Sequence, residues 1–98
     1  MEWNDKEYIL KSIKKNGMDL SRAVEKVRSD KEIVIEACKQ YGNNLEFVSD
    51  NLKNDEEVVL SAIRNDYSAS EFIGKDLKNN KEFMEKLITS NPQTILYL

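Results

Sequence analysis

Carboxylates recur along this chain of 98 residues at a fixed step of 25, and grouped carboxylates bind metal ions or perform acid–base catalysis. The recurring acids are Asp5, Asp30 and Asp55, followed two residues later by Glu7, Glu32 and Glu57, and in the last copy Asn80 followed by Glu82. These residue types also begin α-helices, where they accept from free backbone amides and meet the positive end of the helix dipole. Because the period assigns the whole set to helix starts, we expect no metal site, no glycosidase site and no enzyme.

Cys38 is the only cysteine, and the chain has no histidine. A catalytic thiol needs a nearby base and some exposure to solvent. Cys38 instead falls in a column of the repeat that Ile13, Ile63 and Ile88 otherwise fill, so we expect a small buried side chain. With three glycines in all, the chain has no glycine-rich phosphate loop, and we expect no cofactor.

The step of 25 residues also governs the apolar residues and divides the chain into tandem units. Two of the apolar columns are Tyr8, Ile33, Val58 and Phe83, and Ile9, Val34, Val59 and Met84. A unit of this length cannot enclose a core alone, so each unit must bury its apolar face against the next. We expect a single domain over residues 1–98 with units 5–29, 30–54, 55–79 and a shortened 80–98.

The first half of each unit has the pattern of a helix of about three turns. In the second unit, Asp30 is placed to cap its start, and Gly42 is placed to end it in the left-handed conformation, as Gly17 is in the first unit. The second half restarts with Asn44 as the expected N-cap and carries an apolar face. Each unit is therefore predicted to be a helical hairpin. Short joints between units predict an all-α protein, a right-handed α-solenoid of tandem 25-residue helical hairpins.

The columns together resemble a known family. The residues that carry the resemblance are Asp30 to Ala37, Lys39, Gly42, Leu45, Phe47, Ser49 and Leu52, and then Asp55 to Ala62, Phe72 and Leu77. They resemble the bacterial helical repeat family catalogued as domain of unknown function 4116. The first and fourth units depart from its pattern, since Arg22 replaces an aromatic residue and Pro92 replaces glycine. The resemblance implies a helical repeat fold and implies no activity and no functional residues.

Charge is distributed unevenly among the units. Residues 5–29 hold seven Lys or Arg against four Asp or Glu, a net charge of +3, whereas residues 30–54 carry −2 and residues 55–79 carry −3. A candidate surface for an acidic partner is formed by the basic side chains Lys11, Lys14, Lys15, Arg22, Lys26 and Arg28, the alternative being a solvated helix face. A pI near 5.0 and the lack of basic stripes across successive units disfavour nucleic acid.

Aromatic residues form a second group of candidates. Phe47, Phe72 and Tyr97 recur once per unit, and such a column either lines a groove for a peptide or packs between adjacent hairpins. Its regularity favours packing. Tyr41 and Tyr67 are less regular, and we add them to the candidate contact residues.

The expected function is a non-enzymatic helical repeat scaffold that binds a protein or peptide. The candidate contact residues are Lys11, Lys14, Lys15, Arg22, Tyr41 and Tyr67. The alternative is a homo-oligomeric structural module, because residues 95–98 are all apolar and offer an edge for self-association. No apolar stretch approaches the ~20 residues of a membrane span and the first residues do not resemble a signal peptide, so we expect a cytoplasmic protein with no membrane partner.

Overall fold

Every regular element that the structure describes is helical. The structure, a computed structural model, describes residues 6–16 and 20–98, and this part contains no β-strand. The α-helices are α1 (Lys6–Asn16), α2 (Glu25–Arg28), α3 (Lys31–Gln40), α4 (Asp50–Lys53), α5 (Glu56–Asn65), α6 (Lys75–Lys78) and α7 (Lys81–Ser90). The 3-10 segments are Leu20–Arg22, Gly42–Phe47, Tyr67–Phe72 and Pro92–Tyr97. The long helices α1, α3, α5 and α7 begin 25 residues apart, and the all-α class is confirmed.

The long helices begin at the side chains that the sequence predicts. Asp30 accepts a hydrogen bond from the backbone amide three residues on at 3.2 Å, and Asp55 and Asn80 do the same at 3.2 Å and 3.0 Å. Each bond satisfies one of the amides that the first helical turn leaves without a partner. The predictions for Asp5 and Gly17 concern residues outside the described part of the chain.

The second half of a unit is not the single helix that we predicted. In the second unit the 3-10 segment Gly42–Phe47 is followed by Val48 and Ser49, whose ψ angles of 160° and 155° are extended, and then by the one-turn helix α4. Apolar residues three apart, such as Leu45 and Val48, share one face of a 3-10 helix because it has three residues per turn. The sequence spacing therefore did not distinguish the two kinds of helix.

The side chain of Asn44 does not cap a helix, contrary to the prediction. It is buried, it accepts a hydrogen bond from the backbone amide of Leu20 at 3.0 Å, and it donates one to the carbonyl of Ala37 at 3.1 Å. Leu20 belongs to the preceding unit and Ala37 to helix α3 of the same unit. Asn44 thus joins two units through buried hydrogen bonds, which are costly to leave unmade.

The core is one cluster that continues through the units. Helix α3 packs against α1 on one side and α5 on the other, and the successive 3-10 segments pack against each other. Ile33, Val34, Ala37 and Cys38 of α3 are all buried, as expected for a helix between two neighbours. Leu45 and Val48 are buried, and Leu52, predicted on the same inner face, is only half-buried.

Gly42 is needed for close packing and not for a left-handed turn. Helices α3 and α5 both end in an extended residue, Tyr41 with φ −138° and Asp66 with φ −151°, and Gly42 has no left-handed φ. A Cβ atom at Gly42 would collide with the carbonyl oxygen of Ala62 in the next unit. The Gly42 amide donates to the side chain of Asn65 at 2.6 Å. The predicted glycine closure is therefore wrong for this residue, since the neighbouring unit is what excludes a side chain.

Substitution of Gly42 separates these two explanations. We expect Gly42→Ala and Gly42→Asn to lower the free energy of unfolding by similar amounts, about 1–3 kcal/mol, because both add the Cβ that meets Ala62. Urea denaturation measures the change, and the substitution Glu46→Ala at an exposed residue serves as a control. A left-handed glycine would tolerate Asn clearly better than Ala. That result would contradict the packing explanation.

Candidate partner-binding groove

We call the interface between consecutive long helices a seam. The first seam, between α1 and α3, is crossed by ion pairs at both ends. The ammonium group of Lys6 lies 3.4 Å from Asp30 and 2.9 Å from Glu32, and that of Lys14 lies 3.9 Å from Glu36. The hydrogen bond to Glu32 raises the pKa of Lys6, the effect of Asp30 adds to it, and desolvation partly opposes both. Charges of the basic first unit are thus matched by acids of the second unit.

The second seam, between α3 and α5, repeats the first of these ion pairs. The ammonium group of Lys31 lies 3.0 Å from Asp55 and 3.2 Å from Glu57, and hydrogen bonds to these two carboxylates raise the pKa of Lys31. Partial burial alone would raise the pKa of Asp55. The Lys31 ammonium and the backbone amides at the start of α5 outweigh burial, so the pKa of Asp55 lies below its ordinary value. The same carboxylate therefore caps a helix and closes a seam.

The third seam, between α5 and α7, has like charges where the first has opposite charges. At its start Glu56 occupies the position of Lys6 and Lys31, and Glu82 occupies that of Glu32 and Glu57. Among the described residues, the side chains of Glu56 and Arg64 make no ion pair or hydrogen bond. No ion pair therefore crosses from Glu56 to α7 in the way that Lys31 crosses from α3 to α5.

At the other end of the third seam, like charges again replace opposite charges, and here both charges are positive. Arg64 occupies the position of Lys14, and Lys86 occupies the position of Glu36. Two cations thus stand where the first seam pairs a cation with an anion. Lys86 lies 3.6 Å from Glu82 within its own helix, an exposed pair of a kind that contributes little.

Larger apolar side chains also separate α7 from α5. Leu87 stands in the column of Ala37 and Ala62, and Phe83 stands in the column of Val58. The distance between packed helices grows with the side chains at their contact. Helices α3 and α5 pack directly along their length, whereas α5 and α7 do not.

The separation leaves a groove of about 390 Å³, which we call the α5/α7 groove. The residues that line it are Glu56, Leu60, Arg64, Phe83, Lys86, Leu87, Ser90 and Asn91. The floor is apolar because it is lined by Leu60, Phe83 and Leu87, of which Leu60 is half-buried and the other two are almost fully buried. The charged residues form the rim, with the acid at the start of α5 and the bases towards its end. Binding sites in proteins commonly combine an apolar floor with a few charged or polar groups at the rim.

The described contact residues that the sequence predicts lie outside the α5/α7 groove. Lys11 pairs with Glu7 of its own helix at 3.7 Å, Lys14 pairs across the first seam, and Lys15 is exposed. The side chain of Arg22 lies outside the described part of the structure. None of the described candidates lines the α5/α7 groove, and their role in binding stays a prediction.

The tyrosine candidates are at the ends of long helices. Tyr41 follows α3 and is 56% exposed. Tyr67 begins the 3-10 segment Tyr67–Phe72 after α5 and is 39% exposed. In contrast, Phe47 and Phe72 of the regular aromatic column are partly buried against the core, as the packing interpretation predicted. Tyr97 of the same column is exposed.

The sequence contains a signal for the groove in two residues that depart from their columns. Glu56 is an acid in a column that otherwise holds Lys6, Lys31 and Lys81. Leu87 is a large residue in a column that holds alanine in the second and third units. Each is a local departure from the repeat. Only the structure shows that both departures fall on the same seam and open it.

In the described part of the chain, the Cys38 thiol is buried and the acidic residues form no group arranged to hold a metal ion. Burial raises the pKa of the Cys38 thiol to about 12, so the thiolate needed for nucleophilic attack is scarce near neutral pH. Within residues 6–16 and 20–98, no group of three or more Asp, Glu or Cys side chains is arranged to hold a metal ion. In the same part, no helix has the length and apolar character needed to cross a membrane.

Comparison with known proteins gives one match. Residues 5–53 and 55–98 each match a family model described as Domain of unknown function (DUF4116). The division between the two matched copies falls at the joint between α4 and α5, so each copy contains two long helices. Neither a curated protein nor a solved structure matches the chain.

The ion pair at the second seam predicts a pH-dependent effect of Asp55→Asn. Asn keeps the helix cap and removes the charge. Because the folded pKa of Asp55 lies below its unfolded value, its contribution is present above about pH 4 and is lost as the pH falls through the folded pKa. We therefore expect the variant to be less stable than wild type at pH 7, by at most about 1 kcal/mol for so exposed a pair, and to match wild type near pH 2.

Urea denaturation at a series of pH values measures this difference. In a Lys31→Gln background the effect of Asp55→Asn at pH 7 is expected to shrink, because the partner is already gone. A loss of stability that is the same at pH 7 and pH 2 would mean that the charge of Asp55 does not stabilise the seam.

Proposed function

Since the chain belongs to the family described as Domain of unknown function (DUF4116), whose description assigns no activity, we propose that it is a non-enzymatic helical repeat scaffold that binds a protein or peptide. In this proposal the 25-residue units stack as a right-handed α-solenoid, and the α5/α7 groove receives part of the partner. The cytoplasmic location is part of the same proposal. A rigid stack would present the groove without rearrangement.

The observation that carries the proposal is the difference between the seams. The first and second seams are closed by direct helix packing and by ion pairs from Lys6 and Lys31. The third seam instead leaves a groove with charged rims and an apolar floor, of which Leu60 is partly exposed and Phe83 and Leu87 are almost fully buried. A groove of ~300–1,000 Å³ with an apolar floor and a few polar groups is typical of binding sites, and helices that dock in grooves place their apolar side chains in such floors.

Two further surfaces belong to the proposal as secondary contacts. The exposed tyrosines Tyr41 and Tyr67 offer large amphipathic side chains of the kind enriched at interfaces. Lys11 and Lys15 are exposed on the basic first unit. Because Lys14 also pairs with Glu36, its charge is partly used within the stack.

Self-association is the second candidate function. Ile95, Leu96, Tyr97 and Leu98 are all exposed, Leu96 to 76%, and contiguous exposed apolar residues favour an interface. This strip belongs to the end of the fourth unit and does not line the α5/α7 groove. Substitutions in the two places therefore separate the candidates.

A capture experiment with matched variants tests the scaffold function. Ser90→Trp puts a large ring in the groove, whereas Thr89→Trp changes the adjacent exposed residue of α7, which does not line it. We expect the folded chain to retain a defined partner from extracts of the source organism, the Thr89→Trp variant to retain it, and Ser90→Trp to lose at least about tenfold of it. Retention is quantified by mass spectrometry of the captured proteins.

Three results would decide against the groove. Equal capture by Ser90→Trp and Thr89→Trp would mean that the partner binds elsewhere. Loss of capture on charge reversal of Lys11 and Lys15 alone would move the site to the basic first unit. Formation of a dimer that Leu96→Asp abolishes, with no captured partner, would favour the self-association module.

A further inference from the structure

The charges around the α5/α7 groove are separated by sign along its length. Glu56 lies at the first residue of α5 and Arg64 at the ninth, which places them about 12 Å apart along a helix that rises 1.5 Å per residue. Across the groove, Lys86 of α7 lies at the same end of the groove as Arg64 of α5. One end of the groove is therefore acidic and the other basic.

Within the described part of the chain, the protein does not neutralise Glu56 or Arg64, whereas Lys86 pairs with Glu82 of its own helix. At the first two seams a lysine meets carboxylates of the next helix at 3.4 Å or less. At the third seam the side chains of Glu56 and Arg64 have no partner among the described residues. An occupant that brings a base to Glu56 and an acid to Arg64 would restore at the third seam the pairing that closes the other two.

The floor between the charges fixes the middle of the occupant. Leu60 is the partly exposed apolar residue of the floor, and Phe83 and Leu87 line it while almost fully buried, so an occupant seated on Leu60 must present apolar side chains between its two charged groups. Two charged residues seven or eight apart on a helix span ~12 Å, and apolar residues three and four after the first lie on the same face. An amphipathic helix of about three turns meets both requirements.

The direction of that helix follows from its own dipole. A helix is stabilised by acids in its first turn and bases in its last turn. The acid must lie beside Arg64, at the end of α5, and the base beside Glu56, at its start. We propose that the partner of the α5/α7 groove is an amphipathic α-helix, antiparallel to α5, with an acidic residue in its first turn, apolar residues in the middle and a basic residue in its last turn. This inference rests on the proposed scaffold function.

Two pools of displayed helical peptides test the inference. Both contain Leu, Ile, Phe or Met at two central positions of one face. One pool has Glu in the first turn and Lys seven residues later, and the other has the two charges exchanged. We expect the folded chain to retain the first pool about five- to tenfold better, as two exposed ion pairs allow. The Ser90→Trp substitution is expected to abolish retention of both pools, whereas Thr89→Trp is expected to leave it unchanged.

Reversal of the rim provides the matched variant. Glu56→Lys combined with Arg64→Glu changes two exposed side chains and is expected to make the second pool the better retained one. Circular dichroism confirms that the variant is folded, and Glu71→Lys with Lys75→Glu, exposed residues away from the groove, is the control that leaves the preference unchanged. Raising the salt concentration is expected to reduce the preference.

The outcomes separate this inference from the proposed function. Equal retention of the pools, or a preference that rim reversal does not change, overturns the charged helical partner, while the Ser90-dependent capture of a partner would leave the scaffold function standing. If the chain retains neither peptide pool and captures no partner, the charged helical partner and the scaffold function are both overturned. Self-association that Ser90→Trp abolishes would make a second copy of the chain the occupant and would also overturn the inference.

Discussion

The packing of each long helix between two neighbours is the constraint on which the rest of this structure depends. A helix of ten residues is barely stable alone in water. Helix α3 is stable because it buries residues on two faces, and α5 does the same. The side chains at a seam therefore set both the stability of a unit and the distance to the next unit. Gly42 and Ala62 permit close approach, and Leu87 prevents it.

Charge acts on the same seams and in the same direction as size. Lys6 and Lys31 close their seams with carboxylates that also cap the next helix, so one side chain serves folding and assembly together. At the third seam, Glu56 and the cations Arg64 and Lys86 remove that attraction. Size and charge together turn one of several similar interfaces into a groove. A repeat protein can thus open a groove by changing few residues at one seam.

The sequence predicted the features that depend on local chemistry or on the period. Capping by Asp30 and Asp55, the burial of Cys38 and the packing of Phe47 and Phe72 all follow from residue type and column. It did not predict the 3-10 segments, because a spacing of three fits both helix types. The role of Gly42 and the open third seam depend on contacts between units, which no single column contains.

Distances between matched sites on neighbouring helices test the central claim that the third seam is open. Lys39, Arg64 and Thr89 are exposed, occupy the same position in successive units and accept spin labels after substitution by Cys. The buried Cys38 thiol is expected to remain unlabelled. Pulsed electron paramagnetic resonance measures the distance between two spin labels. We expect the distance between labels at Arg64 and Thr89 to exceed that between labels at Lys39 and Arg64 by about 2 Å or more, because side chains at a contact change helix spacing over about this range. Equal distances would mean that the third seam is closed like the second and would contradict the account.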